Sequence, residues 1–212
     1  MTKDLEFNTN YSPQDSEEIS RLMESFKYDE GRAKEILNKY NKFFPKRVLY
    51  PGSFDPITKG HMNIVKQASE LFDEVVIAVM QNPLKKNSFF TLEERVEIIK
   101  ELYQKVNNVK VILGSGAAVD VALINECKAI IRGLRSLSDY DYEVQLQQMN
   151  KEITNNKINT VCLFADKEYQ FVSSSMVKEV LNLDKDISKY VDPIVMDRML
   201  IKKRSLMRWI KY

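Results

Sequence analysis

Residues 47–80, RVLYPGSFDPITKGHMNIVKQASELFDEVVIAVM, decide the fold. Arg47–Pro51 is a β-rich run that ends in Gly52. From about Gly60 to Phe72, apolar side chains at Met62, Ile64, Val65, Ala68, Leu71 and Phe72 fall at helical spacing and define one buried face. Val75–Met80 is then a continuous apolar run, the pattern of a parallel strand covered on both faces. Strand, helix and strand in this order make a βαβ unit.

The alternation continues outward. Thr91-Leu-Glu-Glu94 is a capping-box pattern, followed by a helix stripe of Leu92, Val96, Ile99, Leu102 and Tyr103. Val109–Leu113 reads as a third strand, Ala117–Glu126 as a helix, and Ala129–Ile131 as a short fourth strand. Tyr142, Leu146, Met149 and Ile153 mark the next helix face, Thr160–Phe164 a fifth strand, and Ser173–Ser175 the start of another helix. Five strands separated by helices predict an α/β fold: a doubly wound, Rossmann-like, five-stranded parallel sheet with flanking helices. A closed eight-stranded barrel needs more strands than the chain offers. Residues 1–46 break the pattern. Ser16–Phe26 and Gly31–Phe44 predict a small helical N-terminal appendage, leaving residues 47–212 as the main domain.

Composition narrows the function classes. The 212 residues carry 32 basic and 30 acidic side chains, a formal net charge of +2. That balance argues against a dedicated nucleic-acid binder. The two cysteines, Cys127 and Cys162, lie in apolar stretches, and with a single histidine they build no zinc-like spacing. The start, MTKDLEFNTN, has no apolar core like that of a signal peptide, and no run approaches the ~18 apolar residues of a membrane span. A cytoplasmic protein is expected, with no membrane partner. Five basic residues and no acid lie between Lys202 and Tyr212, which suits a solvated helix face or a basic surface for a membrane or an acidic partner.

In an open parallel sheet, ligands bind at the carboxyl ends of the strands, and four polar clusters follow strands. In the first, Tyr50 to His61, Gly52 permits a tight exit, Ser53 offers a hydroxyl to a phosphate, and Gly60 allows close backbone approach. His61 falls in the first helical turn, where free N–H groups and the helix dipole favour anions, and its side chain is placed to bond a phosphate as charge builds there. The second, Asn82-Pro-Leu-Lys-Lys86, supplies a lysine for a phosphate or a solvated pair of charges. The third, Arg132-Gly-Leu-Arg135, suits forked recognition of phosphate oxygens. In the fourth, Val172 to Lys178, serines at a helix start serve as caps or as contacts to phosphates. There is no Walker A pattern, no G-x-G-x-x-G, no acidic dyad for two-metal chemistry and no Ser-His-Asp set. Positioning and electrostatic stabilisation by basic donors remain, as transfer of a nucleotidyl group requires.

YPGSFDPITKGH (50–61), FTLEERV (90–96), IRGLRSLSDYDYEVQLQQMN (131–150) and FVSSSMVKEV (171–180), in this order, resemble the nucleotidyltransferase superfamily with the (H/T)-x-G-H signature. Within it the chain is similar to the bacterial phosphopantetheine adenylyltransferase family, from about Arg47 to Lys203. Thr58 in the signature, coupled to RGLR, favours this family over the cytidylyl- and nicotinamide-nucleotide branches. The resemblance implies in-line attack of the 4′-phosphate of phosphopantetheine on the α-phosphate of ATP, with Mg²⁺ present and no covalent intermediate. His61 is then the catalytic residue. Ser53, Phe54, His61, Gly133, Arg135, Glu143, Ser173, Ser174 and Ser175 are expected at ATP, and Ser53, Lys85, Arg132, Ala118 and Asn150 at the acceptor. No protein ligand to metal is expected. Ser53 stands where the family usually has threonine, and Tyr169 where tryptophan is common. The family is typically a hexamer of two stacked trimers with coenzyme A as feedback ligand, and it lacks a counterpart of residues 1–46. Two alternatives remain at this point: a different acceptor within the superfamily, or a catalytically silent nucleotide-binding module.

Overall fold

The computed structural model describes residues 13–43, 47–81, 88–134 and 137–209. The chain separates into two compact units, Met1–Pro45 and Lys46–Tyr212. In the first, α1 (Pro13–Phe26) and α2 (Glu30–Phe43) close on a small cluster of Ile19, Ala33 and Leu37 with Leu22 against it. Lys27 adopts φ 53° just beyond α1, and Asp29 Oδ1 accepts from the Arg32 N–H at 2.8 Å at the start of α2.

The second unit is one parallel sheet in the order β3-β2-β1-β4-β5. Its strands are β1 (Arg47–Gly52), β2 (Glu74–Met80), β3 (Val109–Gly114), β4 (Ala129–Leu134) and β5 (Asn159–Phe164). The helices are α3 (Lys59–Leu71), α4 (Leu92–Tyr103), α5 (Ala118–Ile124), α6 (Leu137–Ile153), α7 (Ser174–Asn182) and α8 (Pro193–Trp209). The doubly wound, Rossmann-like sheet is as the sequence predicts. Its central strands are apolar throughout because both faces are covered. The larger core carries Val48, Val75, Ile77 and Ile131 under Ile64, Ile99, Val177 and Met199 from α3, α4, α7 and α8. Leu49, Val76, Ala78 and Ile130 point the other way, under Val119 and Ala122 of α5.

Strand order reverses between β1 and β4. Their ladder holds only two residue pairs, Val48↔Ala129 and Leu49↔Ile130, whereas β1 and β2 pair along all of Arg47–Gly52. The carboxyl halves of β1 and β4 are therefore unpaired with each other, which is the crevice a doubly wound sheet offers a ligand.

Three local readings differ from expectation. The fourth strand does not stop at Ile131, because Arg132, Gly133 and Leu134 continue the ladder against Cys162, Leu163 and Phe164. Arg132 and Gly133 thus lie on the strand rather than after it. Along α6, Met149 and Ile153 are 49% and 59% exposed, while Asn150 and Thr154 are buried. Thr154 Oγ1 donates to the Asn150 backbone carbonyl at 2.7 Å, so the Thr154 hydroxyl loses water without losing its partner. Near the basic C-terminal end, Lys202 binds Glu94 at 2.7 Å, and Lys203 binds the Leu181 carbonyl at 2.6 Å and Asp184 at 2.7 Å. Those two charges tie α8 to its own domain. None of the helices among the described residues is long and apolar enough to cross a membrane.

Gly133 sets how closely α3 approaches the sheet, since a Cβ there would stand 3.0 Å from Ile64 Cγ1, a side chain with 2% exposure. Gly133→Ala is expected to destabilise the domain by about 1–3 kcal/mol through overpacking. Urea denaturation reads this, and an unchanged midpoint would contradict the contact.

Candidate active site

The loop between β1 and α3 is built around aromatic rings and one carboxylate. Phe54 takes φ 44°, a left-handed backbone uncommon for a bulky residue, and folds back over Gly52. A Cβ on Gly52 would lie 2.7 Å from Phe54 Cζ, so only glycine fits beneath that ring. The Phe54 ring packs edge-on against Tyr50 at 5.4 Å and His61 at 5.3 Å. With 2% exposure, the Phe54 side chain supports the histidine from within the core.

Thr58 and His61 form a capping box at the start of α3. The Thr58 N–H donates to His61 Nδ1 at 3.0 Å, and the His61 N–H donates to Thr58 Oγ1 at 3.4 Å. An amide N–H can only donate, so Nδ1 is an acceptor and the ring proton belongs on Nε2. Thr58 Oγ1, 2.9 Å from Nδ1, holds the ring on the same side. The Lys59 N–H is also taken, by the Tyr190 carbonyl at 2.9 Å. Two of the three first-turn amides thus have partners within the fold. The sequence offers both free amides and the His61 side chain to an anion; in the structure the Lys59 and His61 amides are engaged within the fold, and the imidazole carries its proton on Nε2.

Asp55, with 2% exposure, is the charge beneath this loop. Its carboxylate accepts the Phe89 and Phe90 N–H groups, each at 2.9 Å, and the Lys178 ammonium at 2.9 Å. Arg95 Nε lies 3.6 Å from it. Arg95, itself 4% exposed, also donates to the Phe90 carbonyl at 2.6 Å and the Ser53 carbonyl at 3.1 Å. Burial alone pushes the Asp55 carboxyl up, but the two amides and Lys178 outweigh it and hold the group below its ordinary value. One carboxylate therefore joins the β1–α3 loop, the approach to α4, and α7. Asp55 and Arg95 were given no role by the sequence reading, which had Thr58 only in the family signature and Lys178 only at the end of the fourth cluster. Buried charge in a loop motif was the available signal, but their partners lie 34 or more residues away for Asp55.

Two further expected clusters meet the crevice. Arg132 Nε on β4 lies 3.2 Å from Glu143 Oε2 on α6, so a residue expected at the acceptor pairs with one expected at ATP. At α7 the three serines differ: Ser173 caps the helix by accepting the Met176 N–H at 3.1 Å, Ser174 Oγ donates to the Pro56 carbonyl at 2.8 Å, and Ser175 is exposed. Ser174 thereby fastens α7 to the β1–α3 loop. Ser53 is half-buried in that loop, and Gly133 touches α3 through Ile64. Ala118 opens α5 and Asn150 is buried on α6. Lys85 and Arg135 lie outside the described residues. Burial pushes the Cys127 thiol up to about 11 and raises Cys162 as well, which keeps both protonated and poor nucleophiles.

The chain is a nucleotidyltransferase: residues 49–180 match the cytidylyltransferase-like family. A phosphopantetheine adenylyltransferase of Alkaliphilus metalliredigens is 46% identical over 151 residues, 71% of this chain and 95% of that protein. The chain belongs to the phosphopantetheine adenylyltransferase family. A second member, from Heliobacterium modesticaldum, is 46% identical over 160 residues, 76% of this chain and 94% of that protein. Among solved structures, a putative nicotinate-nucleotide adenylyltransferase from Vibrio parahaemolyticus superposes with a TM-score of 0.56 at 18% identity, covering 74% of this chain and 93% of that one, and shares the fold.

Removing the Asp55 charge tests the network. Asp55→Ala leaves Arg95 buried without its counter-ion and is expected to cost about 3–5 kcal/mol in urea denaturation. The folded pKa lies below the unfolded one, so the contribution of Asp55 is complete above about pH 4 and fades as pH falls through the folded value. The gap between wild type and variant should therefore narrow only below about pH 4. A gap constant through that range would contradict the charge assignment.

Proposed function

We infer that this chain transfers the adenylyl group of ATP to 4′-phosphopantetheine, giving dephospho-coenzyme A and pyrophosphate in coenzyme A biosynthesis. The observation that carries the reading is His61, held with Nε2 as its donor in a family named for that transfer. An acceptor phosphate is already largely ionised near neutral pH, so its oxygen attacks without a general base. The new bond joins that oxygen to the α-phosphorus, the bond to the bridging oxygen breaks, and pyrophosphate leaves. Charge on the α-phosphate is met by the His61 Nε2–H, a preorganised donor of the kind that stabilises transition states.

In this reading Ser53, Lys85 and Arg132 receive the acceptor phosphate, with Ala118 and Asn150 toward the pantetheine arm. Phe54 contributes to the ATP site by backing His61, while Gly133, Arg135, Glu143 and Ser173–Ser175 line it. Nucleotidyltransferases that use ATP generally need a divalent metal, here Mg²⁺. Among the described residues no cluster of three His, Cys, Asp or Glu offers a cage. Asp55 and Glu143 are engaged by Lys178 and Arg132. The protein residues described do not by themselves fit a resident ion, and the reading has Mg²⁺ travel with the triphosphate, as this ion commonly does.

Residues 47–212 form the catalytic domain in this account, and residues 1–46 an appendage outside the chemistry. The protein works in the cytoplasm, without nucleic acid or membrane partners, as a homo-oligomer, a hexamer by resemblance, with coenzyme A as feedback ligand. The exposed Met149 and Ile153, one turn apart on α6, support self-association, because apolar side chains left in water gain by burial against another chain.

Pyrophosphate release from ATP with phosphopantetheine, nicotinamide mononucleotide or no acceptor tests the reading, on the full chain and on one beginning at Lys46. Both are expected to turn over phosphopantetheine alone. Turnover of nicotinamide mononucleotide instead would overturn the acceptor, and ATP binding without release under any acceptor would make the chain a silent binder. In the same assay His61→Ala should lower kcat roughly 10²–10³-fold with much smaller change in ATP affinity.

A further inference from the structure

The segment from the end of β5 to the start of α7, residues 165–172, crosses the first turns of α3. Its ends are anchored by burial, Ala165 at 6% exposure and Val172 at 4%. Between them, Asp166, Lys167, Glu168, Gln170 and Phe171 are exposed. The Tyr169 carbonyl lies 3.5 Å from where a Cβ on Gly60 would stand, so the strap rests against the turn that carries His61. Asp166, Lys167 and Glu168 line, among the described residues, a shallow depression open to solvent.

One polar device holds the strap's leading half. Asn63 Nδ2 donates to Asp166 Oδ2 at 2.6 Å, and the Asp166 N–H donates back to Asn63 Oδ1 at 3.1 Å. One helical turn further, Gln67 Nε2 donates to Asn63 Oδ1 at 2.9 Å and to the Phe164 carbonyl at 3.0 Å. Asn63 sits two residues beyond His61 on the same helix, so the strap is referenced to the element that carries the histidine. Breaking the pair leaves the buried ends in place and frees the exposed middle, which changes the strap's position without unfolding the domain.

We propose that Asn63 and Asp166 form a lock that positions the 165–172 strap over the nucleotide and sets the affinity for ATP. The inference rests on the reading of ATP as a substrate. Both are positioning residues: they act through the strap, and neither takes part in bond making. The pairing is exchangeable, because an aspartate at 63 still accepts from Gln67 and from the backbone of residue 166, while an asparagine at 166 returns the lost donor.

The test is a double-mutant cycle on the full chain, with Asn63→Asp, Asp166→Asn and the double exchange, read as KM for each substrate, kcat and calorimetric ATP affinity. Asn63→Asp sets two carboxylates face to face and is expected to raise KM and Kd for ATP about tenfold, with kcat and KM for phosphopantetheine within about threefold. The double exchange should return ATP affinity to within about threefold of wild type. Asn63→Ala, which removes the lock without adding charge, should weaken ATP in the same direction. Unchanged ATP affinity in Asn63→Asp and Asn63→Ala, no recovery in the double exchange, or equal losses for both substrates would each overturn the lock. Wild type that binds ATP but fails to turn over phosphopantetheine sinks the functional reading alone, since the cycle is still scored by ATP affinity.

Discussion

The Asp55 carboxylate is the constraint on which the loop between β1 and α3 depends. It sits almost without solvent contact and takes two backbone amides, one ammonium and the approach of one guanidinium. Such a charge is tolerable only when its partners are all in place. Its partners come from the segment after β2, from α4 and from α7, so those elements are brought to one point beneath the β1–α3 loop. Arg95 extends the network to the Ser53 carbonyl, which fixes the loop from below.

Above that base the loop orients a single side chain. Gly52 admits the Phe54 ring, Phe54 backs His61, and the Thr58 amide occupies His61 Nδ1. Each contact removes a freedom from the imidazole, and on the proposed reading this preorganises the donor and spares reorganisation cost during reaction. The sheet contributes the space: β1 and β4 pair only at their starts, and the crevice opens where Ser53, His61 and Arg132 follow.

Much of this was legible in the sequence. The βαβ pattern of residues 47–80, the Thr91 capping box and the apolar strand runs depend on neighbours within a few positions, and they appear in the structure as read. The position of His61 in the first helical turn was legible for the same reason. What was not legible depends on distant pairing. Arg132 and Gly133 look like the exit from a strand until β5 extends the ladder beside them. Asp55 looks like a turn residue until Lys178, 123 positions away, supplies its counter-charge. The rotation of α6, which buries Asn150 and exposes Met149, follows from packing that periodicity alone cannot orient.

The central claim is that His61 presents Nε2–H because the backbone of Thr58 claims Nδ1. The chain has one histidine, so its imidazole nitrogens give an unambiguous ¹⁵N spectrum. At mildly alkaline pH the account predicts an unprotonated, pyridine-like Nδ1 correlated to the Thr58 amide, and a protonated, pyrrole-like Nε2. A ring protonated on Nδ1, or one exchanging freely between the two tautomers, would contradict it.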